Sequence, residues 1–405
     1  MDIEVRAIAE SELPDYGRSL GRAFNEDFTA EDWEVERTVM EFDRTLAAFD
    51  GTDMVGTTGA FPLVLTIPGG SLPMAGVTQV SVLPTHRRRG VLTQMMRTQL
   101  DDVRERGELV AGLWASESSI YGRFGYGIAT LCAAIEIERS HTAFAHSHQP
   151  SGRVWLAEKE AALEHLPGVY DRATAAWPGT LARPANWWRR ITADLEHWRD
   201  GATRLYYALH DSGEGVDGYV LYRVKQDWGS GFGSGTVKVR EVMATSLAAY
   251  ADLWQYCFGI DLIAKIESWP RPLDDPLQYL LAEPRRLNMR VADAMWIRLV
   301  DVPAALPARR YAAPGRIVLD VRDAFCPWNE GRYELDAGSD GATCRPTTRD
   351  PDLALDAADL GGTYLGGVSF GALARGGRVE GDAAALTLAD AMFGWGRPPF
   401  CPNVF

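Results

Sequence analysis

Lysine is almost missing from this sequence, with four residues in a chain of 405, while arginine is abundant; the bias points to a GC-rich genome more than to chemistry. Cysteine is also scarce. The five cysteines are scattered and form no CxxC pair, which excludes a disulfide-stapled fold and predicts reduced thiols in a cytoplasmic protein. No apolar run approaches the roughly 20 residues of a membrane span. The segment MDIEVRAIAESELPDYG has neither the basic nor the apolar region of a signal peptide. Positive charge is in deficit: the net charge is −14. Nucleic-acid phosphates and anionic lipid are therefore poor partners, and cationic small molecules are good ones. No HExxH is present, and the spacing of His141, His146 and His148 suits a surface loop rather than a metal site.

With 46% hydrophobic and 24% charged residues, the chain is globular and long enough for two or three domains. Ile3–Ile8 alternates as a half-buried strand does, and a helical stretch follows to about Phe24. Thr45–Phe49 and Met54–Thr58 predict a hairpin turned at Asp50-Gly51. Further strands are expected at Phe61–Ile67, Gly76–Leu83 and Leu109–Ala115. Between the last two, Leu92, Met95, Met96, Leu100 and Val103 form one apolar helical stripe over Val91–Glu105. Beyond a His-, Ser-, Pro- and Gly-rich boundary (140–152) a similar order returns. Strands at Leu205–Leu209, Gly218–Val224 and Thr236–Ala244 precede a helix over Leu247–Phe258 and a strand at Leu262–Ser268. A last module of about 100 residues holds strands at Arg316–Val321 and Gly331–Leu335 and a small-residue stretch, Gly361–Gly371. The sequence closes on the apolar, proline-braced PPFCPNVF, which predicts a tucked-in end.

The informative segment is Val80–Leu92, VSVLPTHRRRGVL. A strand ends, a basic loop with one glycine follows, and a helix begins. Unpaired amides and the positive end of the helix dipole make such a start a phosphate site. Gly90 lets the backbone approach closely, and Arg87–Arg89 add guanidinium charge. A solvated basic helix cap is the plainer alternative. Neither the Walker ending nor GxGxxG is present.

Arg87-x-x-Gly90 between strand and helix resembles the coenzyme A pyrophosphate loop of the GNAT acetyltransferases, with Leu92 departing from the family's final Gly/Ala. PTHRRRG at Pro84–Gly90 and ASESSIYGRFGYG at Ala115–Gly127 resemble two motifs of the enhanced intracellular survival (Eis) family. The resemblance implies an α+β / α/β fold: two GNAT-like domains, each a mixed sheet flanked by helices, and a C-terminal sterol-carrier-protein-like domain. The corresponding boundaries are 1–145, 146–295 and 296–405. It also implies acetyl-CoA as co-substrate, no metal, and assembly as a homohexamer. The implied activity is N-acetylation of cationic amine acceptors such as aminoglycosides, at several positions. A protein-lysine or polyamine acetyltransferase and a non-catalytic lipid- or protein-binding scaffold are the alternatives.

By position, the resemblance assigns Val80, Ser81 and Val82 to the pantetheine arm. It assigns Arg88, Arg89, Gly90, Val91, Leu92 and Thr93 to the pyrophosphate, and Ser116 and Glu117 to a further coenzyme contact. Tyr121 becomes the general acid and the α-carboxylate of Phe405 the general base; Tyr126 is the rival acid. The chemistry agrees. A tyrosine of ordinary pKa about 10 can protonate a thiolate whose conjugate acid lies near 8.5. An α-carboxylate near 3.5 becomes a stronger base where the apolar tail desolvates it or a water relays the proton. Glu26, Asp27 and Trp33 are expected in an acidic, aromatic-lined acceptor groove. The second GNAT-like domain has no Arg-x-x-Gly loop and is expected not to bind the coenzyme.

Overall fold

Residues 3–229 and 231–405 are described by a computed structural model of the chain. Ile3–Ala7 (β1), Thr45–Asp50 (β2), Asp53–Ile67 (β3) and Gly70–Val82 (β4) pair antiparallel in order. The two strands expected at 54–58 and 61–67 are one strand of 15 residues. A bulge, not a break, separates them: Thr57 faces Ser81 and Gly59 faces Thr78, so β4 carries one extra residue there. Gln79 sits in this bulge at φ 54°. Leu13–Phe24 (α1), Ala30–Glu36 (α2) and Val91–Glu105 (α3) accompany these strands. The predicted stripe of α3 is real, with Met95, Met96, Leu100 and Val103 fully buried. Val110–Trp114 (β5), Ser118–Tyr121 (α4) and Gly127–Ile128 (β6) follow.

A second sheet begins at Leu131–Glu138 (β7). It adds Arg153–Ala157 (β8), Tyr206–Asp211 (β9), Val216–Lys225 (β10), Gly235–Ala244 (β11), Ile263–Arg271 (β12) and Arg290–Asp293 (β13), in the order β13-β7-β12-β11-β10-β9-β8. As expected from the sequence, the helix Leu247–Phe258 joins β11 to β12, and these two strands are parallel. The first domain does the same with β4, α3 and β5. The tryptophan pair at Trp187 and Trp188 is core, each 3% exposed. His148 is bonded to Asp252, and His210 lies fully buried between Asp217 and Asp252.

Met295–Leu299 (β14) returns to the first sheet, between β5 and β6. By contacts the chain forms two compact units. One holds the chain through Thr130, Ala176–Ala182 and Asp293–Phe405; the other holds Leu131–Ala175 and Arg183–Ala292. Of the two boundaries expected from the sequence, position 145 lies inside the second of these units, between β7 and β8, and position 295 opens β14, inside the first. Within the first unit, Gly315–Arg322 (β15), Gly331–Gly338 (β16), Gly341–Pro346 (β17), Leu353–Asp356 (β18) and Val379–Gly381 (β19) form a third sheet, ordered β17-β16-β15-β18-β19. Helix Ala357–Thr363 packs on β14. A Cβ added at Gly361 would lie 2.1 Å from the carbonyl of Ile297, which is why that stretch is built from small residues. Among the described residues no helix is long and apolar enough to cross a membrane.

Candidate active site

The site starts where two parallel strands part. β4 pairs with β5 only from Met74–Val110 to Gly76–Gly112, whereas its pairing with β3 continues to Val82. Past Gly76 the β5-side edge of β4 has no strand beside it among the described residues, which leaves its amides open to an extended ligand. Val80 and Val82 are half-buried on this free stretch. The Ser81 side chain turns inward to the Thr57 hydroxyl at 2.7 Å, so any contact Ser81 makes outward is through its backbone. The Gln79 bulge is held by Thr57 Oγ1 donating to its carbonyl at 2.7 Å and by the Tyr16 hydroxyl at 3.0 Å from its side-chain oxygen.

The basic loop lies at the far end of β4. Gly90 is the N-cap of α3 at φ 82°, and no side chain caps the helix. No acidic residue occupies the first turn, so the orphan amides of this end are left for an anion. Arg87, Arg88 and Arg89 are exposed, with Arg88 in the left-handed region at φ 62°. Val91 is buried, Leu92 packs against the core, and Thr93 is exposed. Leu92, the departure from the family pattern, therefore points away from the loop. The substitution leaves the backbone amides in place.

Tyr121 closes α4 immediately after β5 and is 5% exposed. Burial pushes its hydroxyl above the usual tyrosine range; a hydrogen bond with the Ser116 side chain pulls the other way, and the nearby Glu117 adds to the rise. Ser116 and Glu117 themselves are exposed. The phenol is thus held protonated, as a proton donor must be. Tyr126, whose ring centroid is 6.2 Å from that of Tyr121, is fully buried, and its hydroxyl has no hydrogen-bond partner among the described residues. Desolvation raises it too.

The chain end reaches the same strand parting. Phe400, Cys401, Asn403 and Phe405 are all buried. The Phe405 ring comes within 3.3 Å of where a Gly76 Cβ would be. Alternation along β4 puts Ala75 and Val77 on the other face, in the cluster that contains Tyr121. The terminal residue and Tyr121 therefore approach the parted strands from opposite faces of the sheet. Gly76 and Trp114 escaped the sequence reading. Trp114 donates to the carbonyl of Asn403, and no motif marks either residue.

Glu26, Asp27 and Trp33 line one cavity of about 740 Å³ between α1 and α2. Glu26 and Asp27 are exposed on its rim. Trp33 is 9% exposed, and its indole lies 2.5 Å from where a Gly17 Cβ would be, so it packs as a floor. Phe28, 5.7 Å from Trp33 between ring centroids, is the exposed aromatic, and the sequence reading missed it. Arg18, Arg22 and Arg37 also line the cavity, which is thus mixed in charge rather than purely acidic. Tyr121 and Phe405 are not among its walls.

Residues 4–129 match an acetyltransferase (GNAT) domain, residues 179–299 a second acetyltransferase (GNAT) domain, and residues 302–402 a sterol carrier protein domain. The chain is 43% identical, over the full length of both, to an uncharacterized N-acetyltransferase of Streptomyces avermitilis. It is 34% identical to N-acetyltransferase Eis of Mycobacterium tuberculosis over 88% of each chain. The crystal structure of Eis1 from Mycobacterium abscessus superposes with a TM-score of 0.86 at 36% identity, covering 99% of this chain and 100% of that one.

Proposed function

The chain belongs to the Eis family of GNAT N-acetyltransferases, and we propose that it transfers acetyl groups from acetyl-CoA to several amines of cationic acceptors such as aminoglycosides. The observation that carries this reading is the parting of β4 from β5 at Gly76, with an uncapped, arginine-flanked helix start at one end and Tyr121 and Phe405 on its two sides. The free edge of Val80, Ser81 and Val82 takes the pantetheine arm. The amides of Gly90–Thr93 with Arg88 and Arg89 take the pyrophosphate, while Ser116 and Glu117 add a contact near the reacting end.

The acceptor amine arrives as an ammonium. Its first proton goes to the Phe405 carboxylate, directly or through a water, and leaves to solvent. The freed nitrogen attacks the thioester carbonyl, and the C–S bond breaks as the C–N bond forms. Tyr121 gives its proton to the departing thiolate. The second proton lost from nitrogen restores the phenol. The net products are the amide, free coenzyme A thiol and one proton. Glu26 and Asp27 attract the polycation, and the Phe28–Trp33 aromatic pair gives its ring an apolar wall. The same reading implies a homohexamer working in the cytoplasm, and light scattering on the untagged protein tests the assembly.

The decisive experiment measures thiol release from acetyl-CoA against aminoglycosides, polyamines and a lysine peptide, using untagged enzyme. More than one thiol released per aminoglycoside supports the proposal. Turnover with the lysine peptide alone moves the function to protein acetylation, and coenzyme binding without release for any acceptor refutes the acceptor class.

A further inference from the structure

The turn that carries Tyr121 is held by residues remote from it in the chain. Arg298 on β14 is fully buried. Its Nη1 donates to the carbonyl of Phe124, and its Nη2 pairs with Asp323 Oδ2 at 2.5 Å. Asp323 directly follows β15 and is 3% exposed. Its other oxygen accepts from the amide of Cys326 at 2.9 Å. Asn329, also buried, donates to the carbonyls of Leu299 and Val300 at 3.2 and 3.1 Å and accepts from the amide of Val302 at 3.1 Å. The loop between β15 and β16, which lies in the sterol-carrier-like domain, is thus fastened to β14 at both Asp323 and Asn329.

Phe325 in the same loop meets Phe124 edge to face, with ring centroids 4.9 Å apart. It also carries Arg97 of α3, whose guanidinium lies 4.0 Å from the ring centroid and donates to the Phe325 carbonyl. One aromatic side chain therefore touches both the turn after Tyr121 and the helix whose start forms the anion site. Tyr121, Phe124 and Phe325 share one core cluster. Two glycines of the ASESSIYGRFGYG motif are matched to this packing. A Cβ at Gly125 would lie 1.7 Å from Arg298 Nη1, and one at Gly127 would lie 1.7 Å from the carbonyl oxygen of Ala358. The turn itself is short: the Tyr126 amide bonds back to the Tyr121 carbonyl at 3.3 Å, so a force on Phe124 reaches Tyr121 directly. Stability is a poor return for this arrangement. Arg298 Nε has no partner among the described residues, and a buried ion pair is often no more stable than apolar residues of the same volume. A rigid two-armed guanidinium does fix the carbonyl and the carboxylate relative to one another.

We propose that the Arg298–Asp323 pair and Phe325 are positioning residues for Tyr121, so that a loop of the sterol-carrier-like domain completes the acetyl-transfer site by holding the acid-bearing turn against α3. They act through the placement of the phenol, which must meet the departing sulfur within a few tenths of an ångström. The inference rests on the reading of Tyr121 as the general acid.

The test is a mutant cycle on the full chain. Arg298→Met with Asp323→Asn removes both charges together and leaves no unpaired charge buried. The expected result is a melting temperature within about 5 °C of wild type, unchanged acetyl-CoA affinity by calorimetry and a kcat at least about 10-fold lower. The same two changes are then made in Tyr121→Phe. Residues that act through Tyr121 have little left to disturb there, so the further loss in kcat should stay under about 2-fold. Phe325→Leu leaves every charge in place and decides the matter where the paired variant does not fold. Its kcat should fall about 3–10-fold and again add almost nothing to Tyr121→Phe. Losses that multiply with that of Tyr121→Phe, or full kcat in Phe325→Leu or in the folded paired variant, overturn the positioning role. Full kcat in Tyr121→Phe is a different failure: it removes the acid itself, and the positioning role with it.

Discussion

The indole nitrogen of Trp114 donates a 2.8 Å hydrogen bond to the carbonyl of Asn403, two residues before the chain end. Two more bonds tie the tail to the 176–182 segment: Trp177 Nε1 to the carbonyl of Pro398 and the Phe400 amide to the carbonyl of Pro178, each 2.9 Å. The segment Pro398–Phe405 is thereby held against β4 and β5. Trp114→Phe keeps most of the packing and removes the donor. If the Phe405 carboxylate is the base as proposed, kcat falls about 10-fold, because a base displaced by a fraction of an ångström works poorly, with the affinity for acetyl-CoA unchanged. Steady-state kinetics alongside calorimetry separates the two effects.

Tyr121→Phe removes one hydroxyl and keeps a ring that fits the same buried space. Its kcat should drop by about 10²–10⁴, the usual contribution of a positioned acid, while acetyl-CoA binds as before. A variant with full rate would remove Tyr121 from the mechanism. Tyr126→Phe, which deletes a buried hydroxyl that bonds nothing, should be near neutral for rate.

One glycine added after Phe405 shifts the carboxylate by about 3.5 Å. The phenyl anchor beside Gly76 stays, so the melting temperature should hold while kcat falls at least about 100-fold. An extended chain with normal turnover would show that the base lies elsewhere.

Gly90→Ala meets no neighbouring atom, since nothing lies within 4 Å of the added Cβ. Its cost is the left-handed backbone at φ 82°, roughly 1–2 kcal/mol for a residue with a Cβ. Relaxation of that strain turns the loop amides. The expected signature is a several-fold higher KM for acetyl-CoA with a small loss of thermal stability and little change in kcat.

The pH profile tests the acid directly. In the proposed role Tyr121 acts only when protonated, and its pKa is raised by burial. The rate should therefore show no decline from loss of this acid up to its ordinary value of about 10. A fall in kcat centred near pH 8–9 that Tyr121→Phe abolishes would contradict the direction of that shift.

Local patterns carried much of the fold into view. The stripe Met95, Met96, Leu100 and Val103 placed α3 over Val91–Glu105, and its observed bounds agree. The helix Leu247–Phe258 was equally legible, and the strand–helix–strand order around it announced a repeat of the first domain. The uncapped helix start at Gly90 was legible because a glycine N-cap and a run of arginines are local features of the chain. Glu26 and Asp27 were singled out by their type, but the cavity they line also admits Arg18 and Arg22 from α1 and Arg37 from the end of α2, and no local pattern announces that company.

By itself the sequence determined the elements, the arginine-flanked helix start and an apolar end bound to be buried, because periodicity, turn residues and local charge act over a few neighbours. Tertiary structure alone decided that β7 and β14 change sheets, that β4 leaves β5 at Gly76, and that Trp114 holds Asn403 across 289 residues of chain. Pairing and packing between distant segments are settled by complementary surfaces in the folded state, and no local pattern records which partner a strand or a chain end will find.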